Sequence, residues 1–165
     1  MYQVINATKD HINLIRTLAY KIWPHAYGSI LSSAQIDYML ELLYAHDSLE
    51  EQIENLHHSF ILIKDVNDIV GFASFAPHID NRSIFHLHKI YVLPSEQGKH
   101  VGKQMVNHII HEIKNEGATS LQLNVNRHNK SIHFYKKQGF AILREEDIDI
   151  GKGYWMNDYV MEKQL

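Results

Sequence analysis

The sequence predicts an α/β sandwich built around one mixed β-sheet. Segments with apolar residues at helical spacing alternate with short runs rich in aromatic and β-branched residues, which are typical of strands. The predicted order is β-α-α-β-β-β-α-β-α-β-β, with a short additional helix after the second. No repeat, low-complexity tract or linker interrupts this order, so residues 1–165 are expected to form a single domain.

The first part of the chain is predicted to hold one strand followed by helices. Thr8 is suited to cap a helix, and Pro24 is expected to end it because proline lacks an amide hydrogen. Ser48 begins a stretch with the capping-box pattern of a third helix. The predicted segments are a strand over residues 2–6, a helix over 8–23, a break over 24–32, and helices over 33–44 and 48–56.

The second part is predicted to hold the remaining strands and two further helices. Residues 65–68 have the composition of a hairpin turn. Pro94 is expected to end the central strand because proline cannot donate to a sheet, and Gly117 to end the long helix that follows. The predicted strands cover residues 60–64, 69–76, 82–93, 120–125, 140–150 and 154–162, and the predicted helices cover 101–116 and 129–138.

Composition excludes several classes of protein. The chain has no cysteine, which rules out disulfides, thiolate zinc sites and a cysteine nucleophile. No stretch approaches the ~18 apolar residues of a membrane helix, and the N-terminus lacks an apolar signal-peptide region, so a cytoplasmic protein without a membrane partner is expected. The net charge of -3 provides no basic surface for nucleic acid.

The turn between the central strand and the long helix is the first candidate site. Gln97 and Gly98 lie in this turn and Gly102 in the first helical turn, so small or polar residues surround the start of the helix. The first amides of a helix have no internal partner, and the helix dipole adds partial positive charge there. The turn is therefore suited to bind a phosphate, although ordinary strand-to-helix turns share this pattern.

Two motifs in this region are similar to those of the GCN5-related N-acetyltransferase (GNAT) family. Residues 97–102, Gln-Gly-Lys-His-Val-Gly, resemble the family's Gln/Arg-x-x-Gly-x-Gly/Ala acetyl-CoA motif, with His100 at the first glycine position. Residues 129–140, Asn-Lys-Ser-Ile-His-Phe-Tyr-Lys-Lys-Gln-Gly-Phe, resemble the family pattern N-x-A-I-x-F-Y-x-K-x-G-F. The resemblance covers about residues 2–162 and is specific over residues 87–140.

The resemblance implies a GNAT-type α/β sandwich in which a central mixed, splayed β-sheet is flanked by helices. It implies that acetyl-CoA binds between two neighbouring parallel strands and that its acetyl group passes to a primary amine of a small molecule, such as a polyamine, an amino acid or a related amine. The residues implied for acetyl-CoA binding are Ile90, Tyr91, Val92, Gln97, Gly98, Lys99, His100, Val101, Gly102, Lys103, Asn129 and Tyr135.

His100 is the departure from the motif that matters most for this binding. Glycine is usual there because the backbone approaches phosphate without a Cβ in the way. Histidine can still present its amide where its φ is negative. Lys99 and Lys103 are expected to add positive charge beside the phosphates.

Tyr135 and His88 are the candidate catalytic residues. By the resemblance, Tyr135 is the general acid that protonates the leaving thiolate, and a tyrosine pKa of about 10 keeps this hydroxyl protonated at neutral pH. His88 lies where polyamine acetyltransferases of the family have a glutamate proposed as base, and it is suited to take the amine proton directly or through water. Strand periodicity places His88 on one face with His86 and Ile90, opposite Lys89.

The acceptor site is expected to combine aromatic and acidic side chains. In the family, the first helices cover the acceptor and the last strand pair forms the opposite wall. Four acidic residues at 145, 146, 147 and 149 offer attraction for a cation, although each also suits an ordinary solvated surface. The candidate acceptor-binding residues are Trp23, Tyr27, Tyr38, His88 and Trp155.

Two other functions stay open from the sequence. The first is a degenerate family member that binds CoA and regulates without turnover, which His100 favours and Tyr135 argues against. The second is a metal-binding protein, because the chain contains 13 histidines. His86 and His88 form a pair on one strand face, but the spacing offers no third ligand, so no metal is assigned. A homodimer is left open.

Overall fold

The computed structural model describes all 165 residues and contains one seven-stranded mixed sheet flanked by helices. The predicted α/β class is therefore confirmed. The strands are β1 Tyr2–Asn6, β2 Ser59–Asp65, β3 Asp68–Pro77, β4 Ile84–Val92, β5 Ser120–Asn126, β6 Ala141–Gly151 and β7 Tyr154–Gln164. The helices are α1 Ile12–Tyr27, α2 Ser33–Tyr44, α3 His46–Glu54, α4 Val101–Asn115 and α5 Ser131–Lys137.

The sheet is splayed at the one place where neighbouring strands run parallel. Its order is β1-β2-β3-β4-β5-β7-β6, and every neighbouring pair except β4 and β5 is antiparallel. The pairing of β4 with β5 extends only from Ile84–Ser120 to Leu87–Leu123. Beyond that point both strands continue without pairing to each other, which opens a wedge in the middle of the sheet.

Two separate cores cover the two faces of the sheet. On one face, α4 buries residues at positions i, i+4 and i+8, including Met105 and Ile109, against strand residues such as Leu121. On the other face, α1, α2 and α3 pack over Leu62 and Phe72. Burying a side chain of this size contributes about 1.5–3 kcal/mol, so both helical layers are held mainly by apolar contact. None of the helices is both long and apolar enough to cross a membrane.

Helix boundaries differ from the prediction at two places. Pro24 lies inside α1, which continues to Tyr27, because proline removes only its own amide and the Pro24 carbonyl still accepts from Gly28 N–H at 3.0 Å. Ser48 lies inside α3, whose first turn is closed by the Leu49 N–H bonding to the Ala45 carbonyl. In both cases, backbone hydrogen bonds extend the helix past the residue that the sequence pattern predicts as its boundary.

Candidate active site

The wedge between β4 and β5 opens into a cavity of about 700 Å³, called the wedge cavity below. Its walls come from the free ends of both strands, from the start of α4 and from α5. A volume of this size is within the range of small-molecule and cofactor sites. The cavity is lined by all but one of the residues expected to bind acetyl-CoA: Ile90, Tyr91, Val92, Gln97, Gly98, His100, Val101, Gly102, Lys103, Asn129 and Tyr135.

The start of α4 presents unpaired backbone amides to the wedge cavity. Gln104 is the first residue of this helix whose N–H reaches a carbonyl one turn back, that of His100 at 3.0 Å. The amides of the preceding helical residues therefore lack intrahelical partners, and the helix dipole adds partial positive charge. This end of the cavity fits a phosphate group.

The backbone at His100 is left-handed, with a φ of 64°. The condition under which histidine was expected to present its amide, a negative φ, is therefore not met. Glycine adopts this region freely, whereas a residue with a Cβ pays about 1–2 kcal/mol. The motif position thus keeps the conformation of the missing glycine, at a cost in backbone strain.

Gly102 permits close packing between α4 and α5. A Cβ at this position would lie 3.3 Å from the ring of Phe134, tighter than ordinary van der Waals contact. The Phe134 ring in turn packs against Tyr135, with ring centroids 5.2 Å apart. Gly102 therefore helps to set the position of Tyr135 in the cavity wall.

The two lysines of the turn have different surroundings. Lys103 lines the wedge cavity. Lys99 lies outside its lining and forms an ion pair with Glu96, with an Nζ–Oε1 distance of 3.2 Å. Glu96 also accepts from the Tyr2 hydroxyl at 2.5 Å, and these two donors lower the pKa of its carboxyl group. Of the two lysines in the turn, only Lys103 offers its charge to an anion in the cavity, and Lys137 of α5 is a second lysine in the lining.

Tyr135 combines burial with a free hydroxyl. Only 8% of the residue is exposed, and its ring packs between Phe134 and Phe140. The hydroxyl makes no hydrogen bond within the chain and borders the wedge cavity. Burial raises the pKa of Tyr135 well above its usual value, so the group is held protonated and is suited to donate a proton.

A β-bulge in the central strand changes the orientation of the residues around His88. Ser74 of β3 pairs with Lys89, whereas the next residue, Phe75, pairs with Leu87. His88 is therefore an extra residue without a partner in β3. A bulge shifts the alternation of side chains by one, so the strand-face assignment made from strict periodicity fails beyond this point.

The side chains that follow the bulge confirm this shift. Ile90 packs into the core beneath α4, together with Leu87. Lys89 lies on the opposite face, with its Nζ 5.5 Å from the centroid of the Tyr44 ring. The prediction that His88 and Ile90 share one face opposite Lys89 is wrong, because it assumed an unbroken strand.

His88 belongs to a cluster of imidazole rings. Its ring stacks on His58 with centroids 4.1 Å apart and an interplanar angle of 8°, and the His86 ring lies 4.7 Å away. Burial lowers the pKa of His58 and of His86 to about 4 each, and burial and the neighbouring imidazoles also keep the pKa of His88 below its usual value. These histidines are therefore neutral at pH 7. Face-to-face stacking does not direct ring nitrogens to one point, as a metal site requires.

A second cavity of about 340 Å³ lies between the first two helices and the last two strands, and is called the helix-side cavity below. Of the candidate acceptor residues, Trp23, Tyr27, His88 and Trp155 line it. Tyr38 lies outside the lining of both cavities, and its hydroxyl donates to the Ile150 carbonyl at 2.6 Å. Tyr38 thus ties α2 to the β6–β7 hairpin.

The two cavities meet at a shared set of residues. Tyr27 and Tyr91 belong to both linings, and their hydroxyl oxygens are 2.8 Å apart. His88 and Asn124 also line both cavities. A molecule in the wedge cavity and another in the helix-side cavity would therefore meet at the point where β4 and β5 separate.

Several residues that line the helix-side cavity were not expected in the site, and the ones that matter for its charge and polarity are Lys89, Asn124 and Asp158. Strict strand periodicity predicts the wrong strand face for Lys89. No local sequence pattern marks Asn124 or Asp158 as a site residue. Of the four acidic residues singled out near position 147, Glu146 lines the cavity. Glu145 and Asp147 instead bind Arg127.

Comparisons with known proteins agree with this geometry. The family described as "Acetyltransferase (GNAT) family" matches residues 16–140. The [ribosomal protein bS18]-alanine N-acetyltransferase of Haemophilus influenzae is 33% identical over 89 residues, which is 54% of this chain and 56% of that protein. The L-amino acid N-acyltransferase MnaT of Escherichia coli is 26% identical over 64% of each chain. The chain thus matches less than two thirds of the length of these two relatives.

Two further likenesses extend over nearly the whole chain. The spermidine N(1)-acetyltransferase of Thermoplasma acidophilum is 26% identical over 160 residues, covering 94% of this chain and 92% of that protein. The crystal structure of PaiA N-acetyltransferase from Thermoplasma acidophilum in complex with coenzyme A matches with a TM-score of 0.83 at 22% identity. It covers 100% of this chain and 99% of the other. At that identity, the structural likeness shows the shared fold.

Proposed function

Because the chain belongs to the GNAT acetyltransferase family, we propose that it is an acetyl-CoA-dependent N-acetyltransferase acting on a primary amine of a small molecule. The acceptor is a polyamine, an amino acid or a related amine. The proposal rests above all on one observation: the wedge cavity is lined both by a helix N-terminus suited to phosphate and by a buried, protonated tyrosine.

The wedge cavity has the features that acetyl-CoA binding requires. Free amides at Val101 and Gly102 and the cation of Lys103 suit the pyrophosphate, and the unpaired edges of β4 and β5 offer backbone groups to the pantetheine arm. Asn129 fixes the start of α5, since its side-chain oxygen accepts from Ser131 N–H at 2.8 Å. The relative crystallised with coenzyme A has the same fold, which supports this assignment.

The proposed reaction is direct attack of a neutral amine on the thioester. The new C–N bond forms as the C–S bond breaks, and Tyr135 donates its hydroxyl proton to the departing sulfur. The amine gives up its own proton to His88 or to water. His88 borders both cavities and is neutral at pH 7. The burial that keeps it neutral also makes its imidazole a weaker base, which is why water is kept as the alternative acceptor.

Calorimetric titration with acetyl-CoA, followed by an acetylation screen over small amines, tests the proposal. We expect acetyl-CoA to bind and at least one amine to be acetylated. Tyr135→Phe should lower kcat by about 10²–10⁴-fold with little change in the KM for acetyl-CoA, because it removes only the proton donor. Tyr20→Phe is the control, since Tyr20 lies on the exposed side of α1.

The outcomes of this experiment separate the candidate functions. Absence of acetyl-CoA binding by the folded protein would refute the assignment of the wedge cavity. Binding without acetylation of any amine would instead support a CoA-binding regulatory protein, the function that the strained His100 favours. Wild-type turnover in Tyr135→Phe would remove Tyr135 from the mechanism.

A further inference from the structure

Lys89 is a buried cation without an anionic partner. Only 8% of the residue is exposed, it lines the helix-side cavity, and no carboxylate lies within ion-pair distance. Its Nζ donates one hydrogen bond, to Gln52 Oε1 at 2.5 Å, although an ammonium group has three donors. The rings of Tyr44 and Phe60, at 5.5 and 5.7 Å, stabilise the charge without using those donors.

The surroundings of Lys89 hold this side chain in place. Gln52 is itself fixed, since its amide donates to the Leu43 carbonyl at 3.0 Å and leaves only its oxygen to face the lysine. Burial lowers the pKa of Lys89 to about 8, so the group is still mostly protonated at pH 7. A buried ammonium group with unused donors lowers the stability of the fold unless a ligand accepts the remaining hydrogen bonds.

The polar groups of Trp23 and Tyr44 do not add donors to this cavity. The Trp23 indole N–H and the Tyr44 hydroxyl are inaccessible to solvent, although both residues line the same cavity as Lys89 and their rings pack edge to face at 5.6 Å. The Trp23 N–H opposes the rise that burial causes in the pKa of Tyr44, so these two groups interact with each other. The unused donors that this end of the cavity offers to a ligand are therefore those of Lys89 Nζ.

Asp158, also in the lining of this cavity, is the anion that lacks a cation. It is 3% exposed, and its side chain accepts one hydrogen bond, from Asn124 Nδ2 at 3.3 Å. No cationic side chain lies within ion-pair distance of it, whereas Glu146 is 3.5 Å from Arg144. Asn124 also lines the wedge cavity, so Asp158 lies near the place where the two cavities meet.

We propose that the helix-side cavity selects an acceptor that has both an amine and a carboxylate, a free amino acid with an apolar side chain. This inference rests on the proposed N-acetyltransferase function. The carboxylate binds Lys89, and the amine is drawn to the junction beside Asp158 and Asn124. The apolar side chain contacts the remaining wall, formed by Leu31, Met39, Leu43, Ile148, Trp155 and Met156.

A polyamine fits this distribution of charge less well. Asp158 and Glu146 would attract ammonium groups, but a chain that extends beyond them would meet the cation of Lys89 in a space of about 340 Å³. Like charges brought together in a poorly solvated cavity repel strongly. A monoamine without a carboxylate has no second cation to repel but leaves the remaining donors of Lys89 unpaired.

Three acceptors of nearly the same shape test the proposal in the wild-type protein: L-leucine, L-leucinamide and 3-methylbutylamine, with spermidine as a fourth. We expect kcat/KM for leucine to exceed that for leucinamide by at least about 10-fold, because a hydrogen-bonded charge is lost in the amide. The amine of leucinamide is the less basic and is deprotonated to the greater extent, so amine reactivity alone would favour the opposite order.

Lys89→Met and Lys114→Met form a matched pair of variants. Methionine is similar in length to lysine but has no charge, and Lys114 lies in the last turn of α4, away from both cavities. Lys89→Met should lower kcat/KM for leucine by about 10- to 100-fold and leave that for 3-methylbutylamine within about twofold. Calorimetric affinity for acetyl-CoA should not change in either variant.

Each result decides between the two proposals. If amines are acetylated but leucine and leucinamide react equally, or spermidine exceeds leucine, the amino-acid assignment is overturned while the N-acetyltransferase function stands. If acetyl-CoA does not bind or no amine is acetylated, the proposed function itself fails. The comparison of acceptors in the wild-type protein decides the matter even if Lys89→Met does not fold.

Discussion

At the scale of single residues, burial sets which groups around the junction of the two cavities are charged. It raises the pKa of Tyr135 and lowers that of the neighbouring histidines, and it lowers that of Lys89 to about 8. At pH 7 the junction therefore combines a protonated phenol, neutral imidazoles and one ammonium group. A proton donor and a proton acceptor are thus present in the states that acetyl transfer needs.

His88 gives a testable pH dependence. His88 can accept a proton only while its imidazole is neutral. If His88 is the base, kcat/KM should therefore fall only as the pH drops through the pKa of His88. Since that pKa lies well below the usual 6.5, no loss of activity through His88 is expected near pH 6.5. When kcat/KM is divided by the fraction of neutral amine, the wild-type profile should stay flat from pH 9 to 5, and His88→Gln should lower it at every pH in this range.

A pH series from 5 to 9 with one amine of known pKa measures this prediction, and His111→Gln is the control because His111 lies on the exposed side of α4. Identical profiles for the wild type and His88→Gln would assign proton removal to water. An acidic limb centred near pH 6.5 would contradict the effect of burial on this imidazole.

At the scale of elements, the start of α4 combines the phosphate-binding geometry with a strained residue. His100 has a φ of 64°, so glycine should relieve about 1 kcal/mol of strain there. His100→Ala keeps the Cβ but removes the imidazole, and it serves as the matched control. We expect urea denaturation to show a more stable His100→Gly and no gain for His100→Ala.

Calorimetry with acetyl-CoA extends the same pair of variants to function. If the imidazole contributes nothing to phosphate binding, both variants should bind with wild-type affinity or better. Weaker binding by both would show that the His100 ring contacts the ligand. Equal stability of the glycine and alanine variants would contradict the strain at this position.

The elements also show which parts of this protein could be predicted from sequence. Apolar periodicity located the helices and strands because burial against the sheet determines that periodicity, and the two motifs located Tyr135 and the α4 turn. The bulge at His88 could not be predicted, because it depends on the register with Ser74 on another strand. The same register decides on which face of the sheet Lys89 lies. The cation in the helix-side cavity could therefore not be predicted either.

At the scale of the whole molecule, the sheet separates two layers of helices, and the gap between β4 and β5 connects the cavities on its two faces. α4 and α5 build the wedge cavity on one face, and α1 and α2 with the last two strands build the helix-side cavity on the other. Residues at the splay, such as Tyr91 and Asn124, belong to both linings. In the proposed reaction, one substrate occupies each cavity and the two react where β4 and β5 separate.

The same histidine cluster links the stability of the fold to pH. Burial lowers the pKa of His58 and of His86 from 6.5 to about 4, and the buried His58 Nδ1 has no hydrogen-bond partner. Between pH 6.5 and 4 the unfolded chain therefore binds more protons than the folded one. Stability is complete above pH 6.5 and decreases as the pH falls towards 4.

We expect the free energy of unfolding to fall by about 1 kcal/mol per histidine between pH 7.5 and 5.5, measured by urea denaturation at both values. His58→Gln should reduce this loss, because glutamine does not titrate, whereas His111→Gln should leave it unchanged. The glutamine variant also separates protonation from packing, since a pure packing defect would lower stability equally at both pH values. A wild-type protein equally stable at pH 7.5 and 5.5 would show that the stacked imidazoles accept protons in the folded state, and the neutral cluster at the junction would then have to be abandoned.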